Sequence, residues 1–344
     1  MKLHALTPDE EIALRIENIK KAMTMAGMDA MLVTDNANIF YVTGRVLNGY
    51  VYIPARGEQL YFVRRPAGLE GHNIIYIRKP EQIVELLAAN GYPAPSNIGY
   101  EFSSLNVEMY NRLLNAFPGV KSMNASAVLR SVRAVKTDFE LNLLKRSGIK
   151  HERVYRRIPQ LYQEGMSDIE LQIEIERVSR LEGCLGQFRI AGDSMELFMS
   201  NILAGDNADS PTPYDFAMGG AGLDPSLPVG ADGTIIKPGM SVMVDSNGNF
   251  TGYMTDMTRV FSLGTLDDLA VKAHRCSLEI CHTLQEMGHD GVPAADLYHK
   301  AMEIVKGHDL ERYFMGHHQK AGFIGHGVGI EINELPVIAP KSRD

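Results

Sequence analysis

The residues best placed to do chemistry are two aspartates in one short stretch, Ser241 to Phe261, where Asp245 and Asp256 flank a turn rich in Asn and Gly. The stretch reads as a β-hairpin. With the turn centred on Phe250–Thr251, Asp245 and Asp256 pair directly across the strands, on one face, with Cβ atoms ~5 Å apart. Carboxylates that close repel each other unless a cation sits between them or one keeps a proton. Hard oxygen donors in this arrangement suit divalent metals, and paired metals in hydrolases lie ~3.5–4 Å apart. A solvated hairpin whose acids face water satisfies the same spacing.

A second candidate is His326, set in Gly325-His326-Gly327-Val328-Gly329. Flanking glycines let the backbone approach a neighbour closely, and a neutral imidazole is a good ligand for zinc, iron, cobalt or manganese. Taken alone, one histidine among eleven is as readily structural. His274, His282 and the pair His317-His318 have no matching carboxylate spacing and read as surface or helix-face residues.

These residues need a scaffold, and the chain supplies two kinds. The first ~130 residues alternate helix and strand. An amphipathic helix from Asp9 to Met25 ends near Gly27, and the strand Ala30–Val33 follows. Further strands are expected at 50–53, 59–63 and 73–77. Pro80 then opens a helix carrying Ile83, Val84, Leu86 and Leu87, closed by Gly91. No Gly-rich phosphate loop is present, so nothing here suggests a nucleotide. A boundary falls near Arg130–Lys136. Thr137-Asp138-Phe139-Glu140 and Ser167-Asp168-Ile169-Glu170 are capping boxes that start two helices. Extended, Gly- and Pro-rich segments run from Cys184 to Gly239, followed by the hairpin. A helix with the apolar stripe Leu269, Ala273, Cys276, Ile280, Leu284 and Met287 comes next. The second domain is helices packed on a strand-rich layer, an α+β pattern.

The 344 residues suit two domains. Hydrophobic content of 45% with 22% charged residues allows sizeable cores. A net charge of −8 gives no reason to expect nucleic acid, whose partners carry basic patches. No window approaches the ~20 apolar residues that span a bilayer, and the start, Met1-Lys2-Leu3-His4, lacks a secretory core. Three cysteines, Cys184, Cys276 and Cys281, make no disulfide framework or CxxC pair. The expected compartment is the cytoplasm, without a membrane partner.

The hairpin resembles the Asp-x-Gly…Gly-Tyr-x-x-Asp-x-Thr-Arg motif of the pita-bread metallopeptidases, the family of creatinase, prolidase (Xaa-Pro dipeptidase), aminopeptidase P and methionine aminopeptidase. The stretch Gly325–Gly329 is similar to that family's Gly-His-Gly-Ile-Gly. Gly27–Val33 and Asn38–Gly44 resemble the auxiliary domain of prolidase and creatinase. The resemblance implies a creatinase-like N-terminal α/β domain over residues 1–130 and a pita-bread catalytic domain over 136–344. It further implies two divalent ions (Mn, Co, Zn or Fe), a small peptide substrate and a homodimer. Asp245 would hold one ion, Asp256 would bridge both, and His326 would bind the other.

The sequence departs from the family pattern in several places. The family's two further glutamates, one of them the proton shuttle, lie in segments expected beyond Asp344. The pita-bread domain is therefore read as incomplete, its catalytic acid unassigned and its metals weakly held or absent in this form. Glu334 occupies a different motif position and is no substitute. A substrate-contacting histidine of the family aligns with Val229, in Leu227-Pro228-Val229-Gly230, and a second aligns with Asn333, which cannot carry a proton. Asn247 stands where the motif often has glycine. The expected activity is metal-dependent hydrolysis of small amides, nearest to an Xaa-Pro dipeptidase. Two alternatives stay open: a creatinase-like C–N hydrolase acting on a non-peptide, and a pseudoenzyme that binds peptides or proteins.

Overall fold

Asp9, Glu10 and Glu11 occupy the first turn of a helix, where negative side chains favour the positive end of its dipole. Behind them Ile12, Ile16, Ile19 and Met23 recur at helical spacing and are buried. They define α1 (Asp9–Met25), the first element of a computed structural model that describes residues 6–187, 189–192, 197–214, 219–316, 318 and 320–343. Met1 to His4 and His317, read above from sequence, lie outside the described residues. The chain divides into two compact units, Met1–Val135 and Lys136–Asp344.

The first unit continues with β1 (Ala30–Val33), α2 (Asn36–Thr43), β2 (Asn48–Pro54), β3 (Leu60–Arg65) and β4 (Ile74–Tyr76). It closes with α3 (Ile83–Ala89), β5 (Asn97–Tyr100), α4 (Val107–Ala116), β6 (Lys121–Asn124) and α5 (Ser126–Ala134). Its sheet runs β4-β3-β2-β1-β5-β6, antiparallel at β1–β2 and β2–β3 and parallel at the other three pairings. β1 is buried along its whole length, as its unbroken apolar run requires. Leu32, Tyr52, Phe62, Ile98 and Tyr100 from the strands pack with Ile83, Leu87 and Leu113 from the helices. This is an α/β layer with its own core. The helix α5 carries the first unit to Val135.

The second unit opens with α6 (Asp138–Leu161) and α7 (Asp168–Leu181). Both capping boxes form, with Thr137 and Ser167 as caps. A three-stranded antiparallel sheet follows, β7 (Ser200–Ala204), β8 (Ser241–Asn249) and β9 (Met254–Ser262), in that order. Next come α8 (Asp268–Met287), α9 (Ala294–Gly307) and a short pair, β10 (Gly325–Gly327) and β11 (Glu334–Ile338). Along β8 buried and half-buried residues alternate. Val242 and Val244 face a core shared with Ile202 and Ala204 of β7 and Val154, Ile158, Leu171 and Ile175 of α6 and α7. Cys276 and Ile280 of α8 pack with Ala301, Ile304 and Val305 of α9. Leu269, at the start of the expected stripe, is instead exposed. Among the described residues no helix is long and apolar enough to cross a membrane.

Candidate metal centre

The β8–β9 ladder runs from Ser241↔Ser262 to Asn249↔Met254 and leaves Phe250–Tyr253 as its loop. Two local devices centre that loop. The Oδ1 of Asn249 accepts a hydrogen bond from the Gly252 amide at 3.0 Å, and Gly252 takes φ +86°, a conformation that suits only glycine without strain. The turn therefore centres between Thr251 and Gly252, one position later than the sequence suggested. Asp245 faces Thr258 and Asp256 faces Asn247, which corrects the direct Asp245–Asp256 pairing. The two acids are diagonal neighbours instead. Side chains alternate with a period of two, so this shift keeps both carboxylates on one face, the open face opposite the core.

The Thr258 hydroxyl donates to Asp245 Oδ1 at 2.8 Å. Loss of surrounding water raises the Asp245 pKa, the negative charge of Asp256 raises it further, and the Thr258 hydrogen bond opposes both. Asp256 is also raised by loss of water, with His326 opposing. Two acids that resist being charged together are the electrostatic condition a cation relieves.

His326 reaches this face from β10, which pairs with β11 through a bulge between His326 and Gly327. Its Nδ1 lies 3.0 Å from the Gly327 carbonyl oxygen. A carbonyl can only accept, so Nδ1 carries the proton, and in the neutral ring Nε2 is left with a lone pair. That Nε2 stands 3.5 Å from Asp256 Oδ2, with the two side chains 20% and 30% exposed. The separation is long for a hydrogen bond. It suits two donors on one ion, which at ~2.1 Å from the ion lie roughly 3–3.5 Å apart. The charged ring meets the carboxylate as an ion pair, whereas the neutral ring turns a lone pair toward it, an arrangement that a divalent metal between the two would satisfy. Asp256 and His326 are thus brought together, while Asp245 shares their face and bonds to Thr258. Among the described residues no three His, Cys, Asp or Glu side chains converge as a complete metal set.

The two expected substrate positions have the following surroundings. Val229 is fully buried, and its amide donates to the Leu227 carbonyl at 2.9 Å. The amide group of Asn333 clamps one residue, its Oδ1 accepting from Ala191 N at 2.7 Å and its Nδ2 donating to Ala191 O at 2.8 Å. That side chain takes the place of a strand partner for the 189–192 segment. His274 and His282 are exposed on α8, and His318 lies 3.4 Å from Asp209.

Sequence reasoning overlooked a polar stripe on α6. Ser147, His151 and Tyr155 recur every four residues, a spacing that puts them on one helix face. Each docks on the hairpin. The Ser147 hydroxyl donates to Tyr253 O at 3.1 Å, His151 Nδ1 meets Thr255 Oγ1 at 2.9 Å, and the Tyr155 hydroxyl donates to Val244 O at 3.1 Å. Burial holds the His151 pKa down at about 4, so its ring is neutral. Tyr155 is raised by burial and by the charges of Asp245 and Asp256. Two longer-range links were also missed: Tyr253 to Glu140, 3.0 Å between hydroxyl and Oε1, and Lys136 Nζ to Glu334 Oε2 at 2.9 Å. The four-residue spacing signalled the first group, whereas nothing local signalled the links.

Comparison with known proteins gives a family for each part of the chain. Residues 142–344 match the model of metallopeptidase family M24, and residues 15–135 match the creatinase/prolidase N-terminal domain. The chain is 23% identical to the Xaa-Pro dipeptidase of Pyrococcus horikoshii over 331 residues, covering 94% of this chain and 84% of that one. It is 22% identical to the Xaa-Pro dipeptidase of Pyrococcus furiosus over 333 residues, again 94% and 84%. Among solved structures, an Xaa-Pro dipeptidase from Bacillus anthracis superposes with a TM-score of 0.74 at 20% identity, covering 97% of this chain and 86% of that one.

Proposed function

The chain belongs to metallopeptidase family M24, with a creatinase-type N-terminal domain ahead of a pita-bread catalytic domain, and from that membership we propose that it is an Xaa-Pro dipeptidase-like hydrolase of small peptides. Divalent metal ions follow from the family. The proposal goes further, to two ions, with Asp245 on one, Asp256 between them and His326 on the other. Such ions, when bound, polarise the scissile carbonyl and make water a nucleophile at neutral pH. The protein's own residues set the site up. The Gly327 carbonyl fixes the His326 tautomer so that Nε2 can act as a ligand. Thr258 holds one oxygen of Asp245, leaving the other free to bind. The names of the Pyrococcus relatives support a preference for a proline after the scissile bond.

The observation that carries the proposal is His326 Nε2 3.5 Å from Asp256 Oδ2 on the face that Asp245 shares. The test is a dipeptide screen after chelation and re-addition of Mn²⁺ or Co²⁺. Metal-restored cleavage of Ala-Pro well above Ala-Ala supports the reading, and equal cleavage of both dipeptides refutes the proline preference. The buried Val229 and the engaged Asn333 amide favour a second reading, a binding protein on the same fold. Peptide binding with no turnover at saturating metal would select it. The free cysteines Cys184, Cys276 and Cys281 fit a reducing cytoplasm, and a homodimer completes the proposal.

A further inference from the structure

Glu334 is a carboxylate that the proposed chemistry does not use, and its side chain is only 5% exposed. A buried acid needs partners, and its partners connect it to both ligand-bearing strands. Its Oε2 takes the Lys136 ammonium at 2.9 Å, and its Oε1 accepts the Glu331 amide at 3.1 Å. The carboxylate lies against the Gly329 backbone so closely that a Cβ there would fall 2.3 Å from Oε2. The Gly329 carbonyl in turn accepts the amide of Met254 at 2.6 Å, the first residue of β9 and two before Asp256. Glu334 itself pairs with Gly327, the neighbour of His326. Just past Lys136, Glu140 takes the Tyr253 hydroxyl. The residue pair ahead of α6 and its first turn therefore hold the 327–334 turn through Lys136 and the loop before β9 through Glu140.

We propose that the buried Lys136–Glu334 pair is a positioning device that sets His326 at ligand distance from Asp256. This rests on the metal-site reading above. The pair touches neither metal nor substrate and acts through the turn between β10 and β11. Charge suits the task because the anchoring contacts come from distant parts of the chain, and a desolvated ion pair tolerates little change in its geometry.

Three proteins test it: the unmodified full chain, E334Q, and the doubly neutral K136M/E334Q, which also removes the Lys136 ammonium that E334Q leaves beside a neutral amide. Each is titrated with Mn²⁺ by calorimetry, and melted without metal. Outer groups that orient ligands typically change metal affinity 10- to 100-fold. The expected result is that K136M/E334Q regains most of the melting temperature lost in E334Q yet binds Mn²⁺ at least ~10-fold more weakly than the unmodified chain. Its kcat should fall with KM within about twofold, as for a group acting on the reacting centre rather than on substrate binding. Recovery of Mn²⁺ affinity together with melting temperature in the double variant would show a purely structural role and overturn the proposal. An unmodified chain that binds no Mn²⁺ would overturn the metal-site reading and the proposal with it. The two failures are thus distinguishable.

Discussion

Asp256 is the residue on which the proposed site turns, because it meets both the neighbouring carboxylate of Asp245 through charge and the His326 ring through space. Replacing it with Ala removes the proposed shared ligand. D256A is expected to lose both bound metal, by elemental analysis, and hydrolysis, with the fold intact. Metal content equal to that of the unmodified protein would place the site elsewhere. His151 gives a second residue-scale test. Its folded pKa, about 4, lies below the ordinary value of 6.5, so the folded state resists its protonation. The resulting stability is complete above pH ~6.5 and is lost as pH falls toward 4. The loss is on the order of 3 kcal/mol. H151Q, which cannot take the charge, should flatten that part of the stability profile measured by urea unfolding. An unchanged acid slope would show that other groups set it.

At the scale of elements, local signals were legible and long-range ones were not. The helix Asp9–Met25 and the strand Ala30–Val33 were readable because acids at a helix start and an apolar run are short-range features. Both capping boxes lie within four residues of sequence and formed as read. The hairpin was legible, but its centre was not. An Asn- and Gly-rich stretch offers several turns, and the choice rests on the Asn249 hydrogen bond and the positive φ of Gly252. N249A should lower stability by about 2 kcal/mol, because it removes both that bond and the one Asn249 Nδ2 donates to the Gln187 carbonyl, and G252A should also destabilise, because alanine strains the left-handed backbone. Thermal melts check both. Equal stability of G252A and the unmodified chain would mean that the turn adopts another form. The burial of Val229 was hidden for a different reason. The Gly- and Pro-rich stretch around it has no period from which to read a buried face.

For the whole molecule, the family motifs in the sequence carried the fold class and the metallopeptidase assignment, which the family matches support. The links that complete the site were invisible to any local reading, since Lys136 and Glu334 are 198 residues apart. Each unit has its own core. The proposed homodimer would sediment at twice the chain's mass at micromolar concentration, and a single monomer boundary would exclude it there. Hydrolysis of Ala-Pro by the full chain, followed continuously while Mn²⁺ is titrated into chelator-treated protein, tests the metallopeptidase site most directly. Activity should rise from background to saturation with metal, and the same titration of D256A should stay at background. Hydrolysis that persists without metal, or metal-driven turnover that survives in D256A, would contradict a centre built on Asp256 and His326.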